Sequence, residues 1–75
     1  MKKSALSLFL EELAGHSIAL DNSVTNGDFV ELQKLESRIT NAHKRGELPA
    51  PVYRALYALA MDLHKSYRSI LNLYR

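Results

Sequence analysis

Apolar residues recur at steps of three and four in three segments of the chain. In the first segment they are Leu6, Phe9, Leu10, Leu13 and Leu20. In the second they are Phe29, Leu32, Leu35, Ile39 and Ala42, and the third segment is apolar along most of its length. These steps return to the same side of an α-helix, so the pattern predicts helices over residues 4–20, 28–45 and 50–74, and no strand.

Residues with known preferences for helix ends support these boundaries. Ser4 is the expected N-cap of the first helix, and Asn26 or Asp28 is the expected N-cap of the second. Cations followed by glycine at 44–46 predict the end of the second helix. The prolines at 49 and 51 cannot continue it but fit the first turn of a third. Gly15 predicts a kink or an early stop in the first helix.

The predicted fold is all-α, a three-helix chain built on an antiparallel helical hairpin with a long C-terminal helix. We treat residues 1–75 as one helical domain. At 1.5 Å per residue the third helix would be roughly 36 Å long and the second about 27 Å. The third should therefore overhang its partner, unless the first helix or another chain covers it. The first helix packs on this hairpin or swaps onto a second chain, and the sequence leaves both open.

The third helix carries three neighbouring stripes. The aliphatic stripe, which we expect to face the core, consists of Val52, Leu56, Leu59, Leu63, Ser66, Ile70 and Leu73. The tyrosine stripe consists of Tyr53, Tyr57, Ala60, His64, Tyr67, Leu71 and Tyr74. The basic stripe consists of Arg54, Ala58, Met61, Lys65, Arg68, Asn72 and Arg75. All four tyrosines of the chain lie on one of these lines.

The tyrosine stripe has two interpretations. As a core boundary, each ring would be packed and its hydroxyl would stay in water. As a docking surface, it would use the residue types that dominate protein interfaces. On the second interpretation the protein-binding residues are Tyr53, Tyr57, His64, Tyr67, Leu71 and Tyr74 with Arg54, Lys65 and Arg68. The sequence then predicts a small non-enzymatic adaptor, co-chaperone or inhibitor-like regulator that binds another protein or a second copy of itself, with a homodimer as the simplest form.

The charge distribution suggests the alternative, a dimeric nucleic-acid-binding regulator. The 75 residues carry 10 Lys and Arg against 8 Asp and Glu, a formal charge of +2. Residues 51–75 hold four cations against Asp62 alone. Four cations are a weak footprint, because specific DNA binders neutralise about six or more phosphates. The basic stripe is only weak support for a helix that lies on a membrane surface. We therefore expect a protein partner before a nucleic acid.

Motifs for catalysis or cofactor binding are weak. The chain has no cysteine, which removes thiolate zinc sites. Glu12 and His16 share a helix face, which is the spacing of a surface pair. Asp62 and His64 are two apart on a helix and point away from each other, which excludes a triad built on them. We expect no cofactor, no metal and no enzymatic activity.

Two short features resemble known systems. Arg38 and His43 have the R-x4-H spacing that resembles the signature of HEPN-type helical ribonucleases, although a chain of this composition contains such a spacing by chance. Residues 46–51 followed by the long helix resemble, in shape only, the small helical-hairpin co-chaperones and needle subunits of bacterial type III secretion. At the N-terminus, Glu11 interrupts an apolar run that would be short for a secretory signal, so the cytoplasm is the expected compartment.

Overall fold

The computed structural model describes residues 4–73, which form three α-helices and, within that range, no strand. The helices are α1 (Ala5–Asp21), α2 (Asn26–Lys44) and α3 (Ala50–Leu73). They confirm the predicted all-α class, and their described ends lie within two residues of the predicted ones. The expected interruption at Gly15 is absent, because α1 runs through this residue as one helix.

Side chains cap the N-termini of α1 and α2. The Ser4 hydroxyl accepts a hydrogen bond from the Ser7 amide at 3.2 Å, as predicted. The prediction for α2 was wrong, because its N-cap is Thr25. The Thr25 hydroxyl accepts from the Asp28 amide at 3.1 Å, and the Asp28 carboxylate accepts from the Thr25 amide at 2.9 Å. Asp28 is therefore the third residue of a capping box.

The connector between α2 and α3 turns the chain through a glycine. Gly46 has φ of 78°, the left-handed conformation that follows many helix ends, and its amide donates to the His43 carbonyl at 3.0 Å. The Tyr53 amide donates to the Pro49 carbonyl at 2.9 Å, which starts α3 with Pro51 inside its first turn. The connector thus forms the predicted antiparallel hairpin.

The core lies between the three helices. Its buried side chains are Phe9, Leu13, Val24, Leu32, Leu35, Ile39, Ala42, Leu48, Leu56, Ala60 and Tyr67. On α2 the four buried residues all belong to the predicted apolar face. On α1 only Phe9 and Leu13 are buried, whereas Leu6 and Leu10 remain 37% and 44% exposed.

The prediction of which side of α3 faces the core was wrong. Leu56 is buried, but Leu59 is 48% exposed and Leu73 is 80% exposed. Ala60 and Tyr67 of the tyrosine stripe are buried in their place. At 100° per residue this is a rotation of roughly 60° away from the aliphatic stripe. The cause is that α3 packs against both α1 and α2, so its innermost line falls between the aliphatic and tyrosine stripes.

The first helix packs in the same chain, against both arms of the hairpin. It reaches α3 through His16 and Tyr67, and it reaches α2 through an ion pair between Glu12 and Arg38 with an N–O distance of 2.6 Å. Tyr67, near the end of α3, is covered in this way, whereas the last described residue, Leu73, stays 80% exposed. In the described part of the chain, no helix combines the length and apolar character needed to cross a membrane.

The rotation of α3 predicts unequal costs for two leucines of the same stripe. Leu56→Ala should lower the free energy of unfolding by about 2–5 kcal/mol, because it empties a buried site. Leu59→Ala should cost less than about 1 kcal/mol, because half of this side chain already contacts water. Urea unfolding in dilute solution measures both. Equal costs would contradict the rotation.

Candidate protein-binding surface

The structure distributes the predicted tyrosine stripe between the core and the surface. Tyr67 is completely buried, whereas Tyr57 is 37% exposed. Tyr53, His64 and Leu71 are half-buried. Tyr74 lies outside the described residues. The stripe is therefore not a continuous exposed face, and Tyr67 in particular cannot touch a partner while the bundle keeps this packing.

Tyr67 is fixed by two hydrogen bonds to one residue of α1. Its hydroxyl donates to the backbone carbonyl of His16 at 2.7 Å. The same hydroxyl oxygen lies 3.0 Å from His16 Nδ1. A phenol has one proton, which the carbonyl already receives, so Nδ1 must carry the proton and donate to the hydroxyl. Burial, and secondarily the nearby Asp28 carboxylate, raises the pKa of Tyr67 above its usual value.

His64 uses its ring to join α3 to α2. Its Nδ1 donates to the Glu36 carboxylate at 3.1 Å, and the side chains of the two residues are only 18% and 12% exposed. The Phe29 ring lies against the imidazole, with the ring centroids 4.8 Å apart. His64 was predicted both as a boundary residue and as a binding residue, and its contacts in this bundle are internal.

His43 and Tyr53 form a third internal contact. Their rings are stacked with centroids 4.3 Å apart and planes 5° apart. His43 Nδ1 donates to the Leu48 carbonyl at 3.0 Å, which ties α2 to the connector. All three histidines of the chain thus donate from Nδ1 to a partner outside their own helix. Sequence reasoning missed the partners of His16 and His43, because no local spacing marks contacts of this kind.

The short motifs do not assemble a catalytic site. Arg38 points towards α1 and pairs with Glu12, whereas His43 is stacked on α3, so the two residues of the R-x4-H spacing lie apart. The predicted pair of Glu12 with His16 is also wrong, since His16 bonds to Tyr67 instead. Among residues 4–73, no group of three His, Asp or Glu side chains is placed to hold a metal ion.

The basic residues predicted for binding remain on the surface. Arg54, Lys65 and Arg68 are exposed, and within the described residues none of them forms an ion pair. The arginines of α2 and its connector differ in this respect. Arg45 pairs with Glu47 at 2.7 Å, and Arg38 is taken by Glu12. These two arginines line a depression of about 230 Å³ between α1 and α2, where their charge is already compensated.

Sequence reasoning also missed an apolar groove between α1 and α3. The groove encloses about 310 Å³ and is lined by Leu10, Leu13, Ala14, Ser17, Leu59, Asp62 and Leu63. Leu6 continues the exposed apolar surface towards the start of α1. Asp62 is the one charged side chain among the lining residues. The sequence did indicate such a surface, because α1 has more leucines than can lie on one buried side of a helix.

Comparisons with protein-family models, with curated proteins and with solved structures find no match for this chain. The surface itself therefore carries the functional argument.

Replacing Tyr67 tests the buried hydroxyl. Tyr67→Phe should cost about 1–3 kcal/mol, because it leaves the His16 carbonyl and Nδ1–H without their partner. Because the folded-state pKa is raised, the hydroxyl contributes fully below the unfolded tyrosine pKa of about 10. Its contribution is lost as pH rises from there through the higher pKa of the folded state. Chemical unfolding from neutral to alkaline pH measures the difference between the two proteins.

Tyr57→Phe is the matched control, because Tyr57 is 37% exposed and its hydroxyl has no hydrogen bond within the described residues. It should change stability by less than about 0.5 kcal/mol at every pH. A constant difference between wild type and Tyr67→Phe through about pH 10 and beyond would contradict the raised pKa.

Proposed function

We propose that this protein is a small non-enzymatic protein-binding module, an adaptor or regulator with the cytoplasm as its expected compartment. Its docking surface in this proposal is the groove between α1 and α3. The observation that carries the proposal is the exposure of three leucines, Leu6, Leu10 and Leu59, around one apolar groove. Contiguous apolar surface on a small protein marks sites of association.

The composition of α1 supports this surface. Besides Leu6 and Leu10, Leu8 is 46% exposed and Ile18 is 62% exposed, and these residues point to different sides of the helix. A helix that is apolar around its circumference is normally enclosed by protein. In this bundle only two residues of α1 are buried. Covering it further would remove more leucine surface from water.

The energy available at the groove is moderate. Burying a fully exposed leucine is worth about 1.5–3 kcal/mol, so the three half-exposed leucines together offer roughly 3 kcal/mol before the costs of association. Polar contacts at the rim must supply the specificity. This balance suits a reversible partner more than a permanent one.

The groove replaces the tyrosine stripe as the docking surface in our proposal. Tyr67 and His64 already satisfy their polar groups inside the bundle, and withdrawing either would leave His16 or Glu36 without its partner. Tyr57 remains exposed, but it lines a depression against α2 and does not line the groove.

Site-specific crosslinking tests the docking surface. A photo-crosslinking amino acid in place of Leu59 should give a covalent product with protein when the full chain is irradiated in extracts of cells that produce it. The same amino acid in place of Gln33 is the control, because Gln33 is exposed on α2 away from the groove. Equal labelling from both positions, or none from position 59, would contradict the proposal.

A nucleic-acid-binding role is the second candidate, and it is favoured by Arg54, Lys65 and Arg68, which are exposed and form no ion pair within residues 4–73. Three phosphate contacts per chain would weaken binding to duplex DNA or RNA roughly 40-fold between about 50 and 200 mM salt. Lys65→Ala with Arg68→Ala should remove most of this dependence. Fluorescence anisotropy with labelled duplexes measures it, and affinity unchanged by salt would exclude this role.

A further inference from the structure

One side of α3 carries a positive and a negative side chain, each four residues from an alanine that lies between them. Arg54, Ala58 and Asp62 are spaced by four, so they follow one another along one side of the helix. All three are exposed. Neither charged residue has an ion-pair partner among residues 4–73. Asp62 also lines the apolar groove, which places this line at the rim of the docking surface.

Two antiparallel copies of this line can pair, because the positive end of each meets the negative end of the other. When two copies of a helix pack antiparallel about a two-fold axis through Ala58, each Arg54 comes opposite Asp62 of the second copy. Because the axis is two-fold, the ion pair forms twice: Arg54 of each copy meets Asp62 of the other. The methyl side chains of Ala55 and Ala58 allow close approach of the helices at the axis.

The same axis also brings the exposed leucines of α1 together. The contact of Tyr67 with His16 shows how α1 and α3 are aligned along their axes. Each residue of α1 lies at the same height as the α3 residue whose number is about 50 higher. A two-fold axis at Ala58 therefore passes α1 near residue 8, midway between Leu6 and Leu10. Leu6 of each copy then faces Leu10 of the other. One axis thus satisfies both the charged edge and the apolar surface.

The available surface is adequate for such an interface. Stable dimers bury about 800 Å² per partner, which is about 15% of the 5229 Å² surface of this chain. A face formed by two parallel helices side by side can supply that area. It would cover Leu6, Leu10 and Leu59 and would pair Arg54 with Asp62 across the interface.

We propose that the α1–α3 groove is occupied by a second copy of this chain, packed antiparallel about Ala58 with reciprocal Arg54–Asp62 ion pairs. This inference rests on the proposed function, since it names the partner of the same groove. The dimer buries Leu59 and Leu10 near its centre. Arg68 lies outside the interface, because a two-fold axis at Ala58 places it opposite position 48 of the second copy, before the α3 of that copy begins.

Charge reversal tests the pairing directly on the intact chain. Arg54→Asp alone and Asp62→Arg alone each place two like-charged contacts in the dimer, so each should raise the dimer dissociation constant about tenfold or more. When the two variants are mixed, one chain is negative at both positions and the other is positive at both, so both ion pairs form again in the heterodimer. The heterodimer should therefore recover close to wild-type affinity, and the double variant should recover as well. Sedimentation velocity over a concentration series measures all four.

Arg68→Asp is the control, because it changes the same charge outside the proposed interface and should leave the dimer unaffected. Circular dichroism checks that every variant remains helical. A dimer that is insensitive to both single reversals, or reversals that fail to rescue each other on mixing, would overturn the inference.

The same set of measurements separates this inference from the proposed function. If the purified chain stays monomeric at all concentrations while the crosslinker at position 59 captures a different protein, the groove docks another partner and the dimer is wrong. If the chain is monomeric and position 59 captures nothing, both fail. If the captured product has twice the mass of the chain, both are supported.

Discussion

The bundle depends on one constraint, the need to satisfy a tyrosine hydroxyl that has no access to water. Tyr67 is completely buried, and its hydroxyl donates to a backbone carbonyl of α1. A carbonyl inside a helix already accepts a bond from its own helix, and its second lone pair is available to a side chain. Leaving this hydroxyl unpaired would cost about 1–3 kcal/mol, a large share of what so small a core provides. The position of α1 along α3 is therefore fixed at His16.

This fixed contact decides which leucines remain outside. With Tyr67 turned inwards, the neighbouring aliphatic line of α3 must turn towards the edge, which leaves Leu59 half in water. On α1 the same contact places Phe9 and Leu13 inside and Leu10 at the groove. The groove is thus a consequence of burying a polar aromatic residue where an aliphatic one would have packed. Three histidines, each donating from Nδ1 to another element, supply further directional contacts that hold this arrangement.

Sequence patterns predicted the elements better than their mutual orientation. The apolar face of α2 was predictable because it has one clear side, with polar residues on the other. The end of α2 was predictable because Gly46 follows two cations, whereas its start was missed because Thr25 lies just before Asn26 and Asp28, which also favour the N-cap position. The rotation of α3 was not predictable, because two adjacent apolar stripes both fit a core, and the choice between them depends on His16, 51 residues away. The groove could not be predicted for the same reason, since it exists only once α1 and α3 are set side by side.

The association that we propose would connect binding to stability, because it would cover exposed leucines of a small bundle. A core of this size supplies only about 3–5 kcal/mol, and a partner present at about 100 times its dissociation constant adds about 2.7 kcal/mol by mass action. Covering the groove would therefore change the folded fraction as well as the assembly state. The polar contacts of Tyr67, His64 and His43 keep the helices in register without that help, because they are directional and none of these three residues lines the groove. Internal hydrogen bonds thus orient the helices, while the exposed apolar surface is left for the association that we propose.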